Sequence, residues 1–221
     1  MKDYSDFFIA IYTCDIKTYC DAEFFNAVIP SVGNAELQIV DNSADYNYAI
    51  RLKSLSQGKL VHHLDVSREN KETLMLRNIT ESVNLLRYFF LQSKCKYFVI
   101  LESDVIPPAE WLDYFLEVID RADIIGGIYY HGFHRQELFD NPDIFEYVPH
   151  ALSGCTVYKR ELVEKVPFRC DFEQSHAFPD AWICYDAVRH ENNFEIANYS
   201  KIKCRHLTKQ GSDSRGLEDL K

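Results

Sequence analysis

Short apolar runs alternate along the chain with segments whose apolar residues recur at helical spacing. Apolar runs of about four to eight residues are typical of strands buried on both faces, and their alternation with amphipathic helices predicts a sheet covered on both sides. The predicted strands are residues 7–12, 37–40, 60–64, 97–101, 124–130, 151–158, 194–197 and 202–204. The pattern therefore predicts an α/β fold, a single Rossmann-like domain with a mostly parallel central sheet flanked by helices.

Amphipathic segments and turn residues predict where the helices lie between these strands. Thr80-Glu81-Ser82 is a polar start for one helix, and Pro107-Pro108 ends a strand and suits the first turn of another. The predicted helices are residues 21–28, 80–92, 107–121, 160–166 and 181–190. Residues 131–147 are predicted to form a polar, aromatic-rich loop, and residues 210–221 a mobile polar tail or linker.

The length and composition bound the organisation of the chain. With 221 residues, 47% hydrophobic and 14% aromatic, the sequence can build one sizeable core, and we expect a single domain over residues 1–209. No apolar stretch approaches the ~20 residues that span a bilayer, and Met1-Lys2-Asp3-Tyr4 does not open a signal peptide. We therefore expect a soluble, cytoplasmic protein with no integral membrane segment.

Charge and cysteine content exclude several classes of function. The 34 acidic and 24 basic residues give a net charge of −10, which disfavours nucleic acid as a partner. A small anionic ligand fits only where a metal or a few cations reverse the local field. The seven cysteines form an odd set without a CxxC pair, so we predict reduced, mostly buried thiols rather than disulfides or a structural zinc site.

Polar segments directly follow three of the predicted strands. They are Thr13-Cys14-Asp15, Asp41-Asn42-Ser43 and Glu102-Ser103-Asp104. Ligands of open α/β sheets bind beyond the carboxyl ends of the strands. Two carboxylates two residues apart, Glu102 and Asp104, suit a hard divalent cation such as Mn²⁺ or Mg²⁺. The alternative is an ordinary turn aspartate ahead of Pro107-Pro108.

Three further residues are candidates for a site, each with an ordinary structural alternative. Arg77 has a guanidinium that suits a diphosphate or a base carbonyl, but an isolated arginine is usually solvated. Asp180 follows Phe178-Pro179 at a helix start, where it could simply cap the helix. His206 follows the last strand, where it is either a metal or phosphate ligand or a surface histidine.

In their order along the chain these segments resemble the GT-A glycosyltransferases, particularly the family 2-like members, from Phe7 to Leu207. The matching segments are Tyr12-Thr13, Val40-Asp41-Asn42-Ser43, Arg77-Asn78, the DxD-like Leu101-Glu102-Ser103-Asp104, Ser153-Gly154-Cys155, Tyr158-Lys159-Arg160-Glu161-Leu162, Phe178-Pro179-Asp180 and the isolated His206. The resemblance implies a GT-A domain and a transferase that uses a nucleotide diphosphate sugar, with UDP as the expected nucleotide.

The resemblance also implies roles for individual residues. The donor would contact Thr13, Asp41, Arg77, Glu102, Ser103, Asp104 and Gly154. Asp41 would accept a hydrogen bond from the uracil imide, and Gly154 would let the backbone approach the sugar. Asp104 and His206 would bind Mn²⁺ or Mg²⁺. Glu102 would contact either the ribose or, through a water molecule, the metal.

For the reaction, the resemblance implies sugar transfer to a hydroxyl of a glycan or glycoprotein acceptor. Asp180 would take the proton of that hydroxyl on the far face of the sugar, which gives inversion, and residues 205–214 would close over the donor. Two departures from the family pattern stand out. Glu102 replaces the first DxD acid, and Pro179 replaces the first of two acids before the late helix, which leaves one carboxylate as base.

Three other functions compete with this interpretation. A sugar nucleotidyltransferase or a nicotinamide dehydrogenase would open with a glycine-rich phosphate loop, and residues 13–17 contain no glycine. A non-catalytic nucleotide-sugar or carbohydrate-binding module would use Trp111, Trp182 and Tyr129-Tyr130 as stacking platforms. Such a module needs neither the base Asp180 nor the acid Asp104.

Overall fold

One eight-stranded sheet runs through the computed structural model, which describes residues 2–65, 71–129, 136–141, 143–151, 154–171 and 178–207. The strands of this sheet and of a second, two-stranded sheet are β1 Phe7–Thr13, β2 Glu36–Asp41, β3 Leu60–His63, β4 Tyr97–Glu102, β5 Val105–Ile106, β6 Ile124–Ile128, β7 Phe145–Tyr147, β8 Cys155–Lys159, β9 Ile196–Lys203 and β10 Arg205–His206. Within the described ranges, no helix is long and apolar enough to cross a membrane.

The topology confirms the predicted α/β fold with a mostly parallel sheet. The strand order is β3-β2-β1-β4-β8-β6-β9-β7. Strands β3, β2, β1 and β4 pair in parallel, and β6 pairs in parallel with β9. The antiparallel strand β8 lies between β4 and β6, so β4 is central but parallel to only one neighbour. β5 and β10 form the separate antiparallel pair.

Helices cover both faces of the sheet, because alternate residues of the central strands feed two hydrophobic cores. The helices are α1 Asp21–Ser31, α2 Tyr46–Leu55, α3 Lys71–Gln92, α4 Trp111–Val118, α5 Gln136–Asp140, α6 Arg160–Lys165 and α7 Pro179–Arg189. From β1, Phe7 packs in the core that contains α1 and α4, whereas Phe8 packs in the core that contains α3. Both rings are fully buried. Apolar burial of this kind on each face holds the strand ends in fixed positions.

Helix α3 is longer than the sequence predicts. It begins at Lys71 rather than Thr80, so Arg77 lies inside the helix and not ahead of it. The Thr80 hydroxyl donates to the carbonyl of Leu76, one turn earlier, and does not cap a helix start. A polar triplet on a helix was therefore misread as a helix boundary.

Other predicted boundaries also change. Helix α2 was missed although Asp45 caps it, accepting a hydrogen bond from the Asn47 amide at 2.9 Å. Helix α4 begins at Trp111, after the two prolines. The predicted loop 131–147 contains α5 and β7, and its residues 131–135 lie outside the described ranges. The predicted strands 194–197 and 202–204 are parts of the continuous strand β9.

All seven cysteines are free, as predicted, and five of them are buried. The predicted tail at residues 210–221 lies outside the described part of the chain.

Candidate functional site

The carboxyl ends of β1, β2 and β4 lie side by side. The parallel register pairs Thr13 with Asp41 and Tyr12 with Glu102. Because parallel strands end on one edge of a sheet, the predicted strand-end residues are brought into one crevice. Glu102 accepts a hydrogen bond from the Tyr12 hydroxyl at 2.8 Å on its Oε1. Tyr12 therefore holds the Glu102 side chain toward the end of β1.

Asp41 anchors the end of β2. It is fully buried, and one of its carboxylate oxygens accepts hydrogen bonds from the amide and hydroxyl of Ser43. Its other oxygen lies 2.9 Å from Nδ1 of His63, at the end of β3. Thr13 beside it is also buried, with its hydroxyl 3.3 Å from the hydroxyl of Tyr48 on α2. Asp41 and Thr13 thus form the buried floor of the crevice, and His63 lies at its rim.

Asp104 is the most deeply placed acid beyond β4. Its side chain is 4% exposed, and Oδ2 forms an ion pair with the ammonium of Lys17. The same Oδ2 lies 3.5 Å from Nε2 of His206 and 3.4 Å from the hydroxyl of Tyr19. Oδ1 is buried and has no hydrogen-bond partner among the described residues. The preceding residue, Ser103, is buried too, and its hydroxyl likewise lacks a described partner.

The electrostatics of this cluster favour the charged forms of Lys17 and Asp104. Burial alone would raise the pKa of Asp104, but the hydrogen bond to His206 and the charge of Lys17 lower it to about 2. Burial opposes the charged form of Lys17, yet the Asp104 and Glu102 carboxylates raise its pKa. Lys17 is thus a resident ammonium held between these two acids.

The two-stranded sheet of β5 and β10 places His206. The register pairs His206 with Val105, and the amide of Leu207 donates to the carbonyl of Asp104 at 2.8 Å. The last described strand is therefore fastened directly beyond the end of β4. The His206 side chain is 12% exposed, and its ring centroid lies 5.3 Å from that of Tyr129.

Gly154 lies against Tyr129, which sequence reasoning had named only as one of the stacking platforms of a binding module. A Cβ atom at Gly154 would lie 2.4 Å from Cε1 of the Tyr129 ring. Glycine is needed here because any larger side chain would clash with the Tyr129 ring. Tyr129 is itself buried, and Tyr130 lies outside the described residues.

Asp180 lies in the first turn of α7, whose N-cap is Phe178, so the capping alternative is wrong. One carboxylate oxygen is 3.4 Å from Nε2 of His150. Asp180 lines a small pocket of about 10 Å³. The other residues around this pocket are Tyr12, Ile79, Val83, Ile100, Phe168, Phe178 and Pro179. Asp180 and Tyr12, which lies near the end of β1, both line this pocket, and its mostly apolar walls disfavour water.

Arg77 is not brought into this crevice. Its side chain is 62% exposed, and Nε lies 2.6 Å from Oε1 of Glu81, one turn further along α3. Asn78, its neighbour in the predicted pair, contributes its carbonyl to the Asn42 side chain at 3.5 Å. The helix in which Arg77 lies directs its guanidinium to solvent and to Glu81, which is the ordinary alternative for an isolated arginine.

Two residues of the site were missed from sequence, Lys17 and His150. Lys17 carried a usable signal, because it lies four residues beyond Thr13 and is the one cation in the segment 13–17. His150 carried none, since only the fold brings it to Asp180. Trp111, offered as a stacking platform, is fully buried and donates its Nε1 hydrogen to Ser31 at 3.0 Å.

The donor groups at Asp104 fit a divalent cation as a partial site. Asp104 and His206 supply oxygen and nitrogen atoms of the kind that Mn²⁺ binds, and the buried Oδ1 of Asp104 is an available acceptor. Within the described ranges, no cluster of three or more His, Cys, Asp or Glu side chains could hold a metal. Magnesium-like ions commonly take one or two protein ligands and complete their shell with substrate phosphates and water. Glu102, bonded to Tyr12, is not a direct ligand in this arrangement.

Comparisons with known proteins identify the fold. No protein-family model and no curated protein matches the chain. Among solved structures, the chain matches S. aureus TarS 1-349 in complex with UDP-GlcNAc, with a TM-score of 0.60 and 18% identity over 90% of this chain and 57% of that chain. It also matches glucosyl-3-phosphoglycerate synthase from Mycobacterium tuberculosis in complex with Mn²⁺, UDP and glucosyl-3-phosphoglycerate, with a TM-score of 0.51 and 14% identity over 97% of this chain and 74% of that one.

These likenesses confirm the GT-A-like α/β domain. The protein spans little more than half of the TarS chain that it matches. At 14–18% identity the matches show the fold and do not assign the chemistry of individual residues.

Proposed function

We propose that the protein is a glycosyltransferase that moves a sugar from a nucleotide diphosphate, with UDP as the first nucleotide to test, to a hydroxyl of a glycan or glycoprotein. The observation that carries the proposal is the position of Asp104. It is a buried carboxylate beyond the central strand of a GT-A-like fold, joined there by His206. In two solved structures that share this fold, UDP-GlcNAc or UDP with Mn²⁺ is bound.

The nucleotide is proposed to lie along the ends of β1 and β2. Thr13 and Asp41 form the floor of the base pocket. Both carboxylate oxygens of Asp41 already accept hydrogen bonds within the chain, from buried Ser43 and from His63 at the rim, so Asp41 meets the base only after a rearrangement. We propose no donor contact for Arg77, because its guanidinium faces solvent and Glu81.

The diphosphate is proposed to lie beside Asp104 and His206, which would hold Mn²⁺ or Mg²⁺ together with phosphate oxygens. When bound, the cation supplies Lewis-acid stabilisation of the leaving diphosphate. Asp104 contributes the ionised carboxylate that the cation requires, since its pKa is already lowered to about 2. Ser103, between Glu102 and Asp104, is buried.

Asp180 is proposed to be the general base. A hydroxyl is a poor nucleophile at neutral pH, so its proton must leave as its oxygen bonds to the anomeric carbon. In the proposed step the proton passes to the Asp180 carboxylate, the new C–O bond forms, and the bond to the diphosphate breaks with its electron pair on the leaving oxygen. His150, 3.4 Å away, is placed to orient the carboxylate where the family pattern has a second acid.

Calorimetry with UDP tests the donor site. UDP affinity should depend on Mn²⁺ and be much weaker in EDTA, and Asp104→Asn should lower the Mn²⁺-dependent affinity by about tenfold or more, or ~1.4 kcal/mol. Asp6→Asn is the matched control, because Asp6 pairs with Lys96 on the surface at the opposite ends of the strands. A UDP affinity that EDTA leaves unchanged would contradict the metal assignment.

The transfer reaction needs a separate measurement. A panel of nucleotide sugars screened by thermal shift with Mn²⁺ selects the donor, and donor hydrolysis or transfer then separates an enzyme from a binding module. Binding without any turnover, across the panel, would favour the binding module.

A further inference from the structure

Lys17 occupies the position at Asp104 that the proposed metal would need. Its ammonium forms an ion pair with Oδ2, the oxygen that also faces His206. A lysine and a divalent cation cannot both lie against one buried carboxylate oxygen, because the two positive charges repel at short range. Metal binding at Oδ2 therefore requires Lys17 to leave.

The local structure allows that movement. Lys17 is the last residue of a single 3-10 turn, Asp15–Lys17, and its side chain is 30% exposed. Its flexible four-carbon stem can reorient without moving β1. Asp104, in contrast, is 4% exposed and held by the pairing of β5 with β10. The mobile partner in this ion pair is the lysine.

We propose that Lys17 holds the cation position at Asp104 in the donor-free protein and moves onto the diphosphate when donor and metal bind. The inference rests on the proposed function and adds a role for a residue that the family resemblance did not include. A free metal must displace Lys17 from its carboxylate, and a free diphosphate must draw Lys17 from Asp104. When both bind together, one displacement serves both ligands, so the metal and the nucleotide should bind with positive coupling.

Lys17→Met removes this competition while keeping the length of the side chain. Without nucleotide, the variant should bind Mn²⁺ about tenfold more tightly than wild type. This is the affinity that wild type loses if Lys17 is away from Asp104 in only about one molecule in ten. The factor by which UDP raises Mn²⁺ affinity should shrink by the same amount, and UDP affinity in EDTA should fall because the ammonium is lost. Lys17→Arg keeps the charge and should retain the wild-type coupling.

The experiment is a Mn²⁺ titration followed by electron paramagnetic resonance, with and without UDP, on the full chain. Lys96→Met is the matched control, since Lys96 forms a 2.9 Å ion pair with Asp6 away from the crevice and should change nothing. Lys17→Gln, which keeps a hydrogen-bond donor for Asp104, replaces Lys17→Met if thermal unfolding shows that the methionine variant is not folded.

The outcomes separate this inference from the proposed function. Equal Mn²⁺ affinity in wild type and Lys17→Met without nucleotide overturns the role of Lys17, even if UDP and Mn²⁺ bind. Tighter Mn²⁺ binding in Lys17→Met supports it, even if UDP binds to neither protein, in which case the proposed function fails. If no variant binds Mn²⁺ but UDP binds in EDTA, both the displacement of Lys17 and the metal assignment are overturned. Nucleotide binding would then be the part of the proposed function that is retained.

Discussion

Asp180 lies at the start of α7, close to His150. It is in the first turn of α7, and the amino end of a helix stabilises a negative charge. Nε2 of His150 lies 3.4 Å from its carboxylate, and the adjoining pocket is lined by Asp180 and by Tyr12 at the end of β1. A single carboxylate can therefore serve where the family pattern has two acids.

Asp180→Asn should reduce turnover by roughly 10²–10⁴-fold, the usual contribution of a positioned base, while folding and donor affinity persist. The amide keeps the shape of the side chain but has no basicity. Steady-state kinetics with the donor selected by the panel, together with UDP calorimetry, measures both effects. Direct displacement also requires the product anomer to be opposite to that of the donor, which NMR of the product reports.

Asp186→Asn is the matched control on the same helix. Asp186 forms two hydrogen bonds with Arg169, at 2.6 and 2.9 Å, so its carboxylate is already engaged and its loss should leave turnover near wild type. Near wild-type transfer by Asp180→Asn, with a large loss in Asp186→Asn, would move the base to Asp186. A product of retained configuration would contradict direct displacement by the acceptor hydroxyl, but it would not contradict the proposed donor site.

At the scale of secondary-structure elements, the short pair of β5 and β10 determines whether the site exists. It brings His206 to Asp104, although the two residues are far apart in sequence. His206→Ala should weaken UDP and Mn²⁺ binding together, because one imidazole serves the cation that both ligands share. His190→Ala is the control, as His190 follows α7 and its ring contacts Phe194 rather than Asp104. Calorimetric affinities for both ligands that match wild type would make His206 a structural residue only.

The elements also show which parts of the fold the sequence predicts. β1 and β4 were predicted to within a residue, since an apolar run bounded by polar residues is a local signal. The start of α3 was predicted wrongly, because the polar triplet Thr80-Glu81-Ser82 resembles a helix cap. In the structure the Thr80 hydroxyl bonds back to Leu76 within the helix. The antiparallel strand β8, inserted between β4 and β6, depends on pairings between distant segments, and the apolar run alone does not reveal strand direction.

The same distinction applies to the site. Glu102 and Asp104 could be found because they lie two residues apart at the end of one strand. Lys17 meets Asp104 across 87 positions, so the ion pair arises from tertiary structure alone. The contact of Gly154 with Tyr129 could not be predicted for the same reason, since Tyr129 follows β6 and only the fold brings it to Gly154.

At the scale of the whole molecule, the two cores contain or border thiols and tyrosine hydroxyls whose pKa values are raised in the folded protein. Burial raises the pKa of Cys184 to about 12, and burial with the hydrogen bond to Asp113 raises that of Tyr4 to about 12. Burial also raises the pKa values of Tyr48, Tyr158 and Tyr199. In the unfolded chain thiols titrate near 8.5 and tyrosines near 10, so the native state retains protons that the unfolded state releases.

Above about pH 8 the free energy of unfolding should therefore fall as the pH rises toward 12, since stability declines wherever the native state binds more protons. Cys184 alone should account for about 3 kcal/mol by pH 10.5, at ~1.4 kcal/mol per pH unit above its unfolded pKa of about 8.5. Urea denaturation across this range measures the slope, and absorbance near 295 nm reports tyrosinate. Cys184→Ala should flatten the slope, whereas Cys170→Ala, at a half-buried thiol, should not. Full tyrosine ionisation in a protein that keeps its native circular dichroism would contradict this account, because the buried hydroxyls would then titrate without the cores opening.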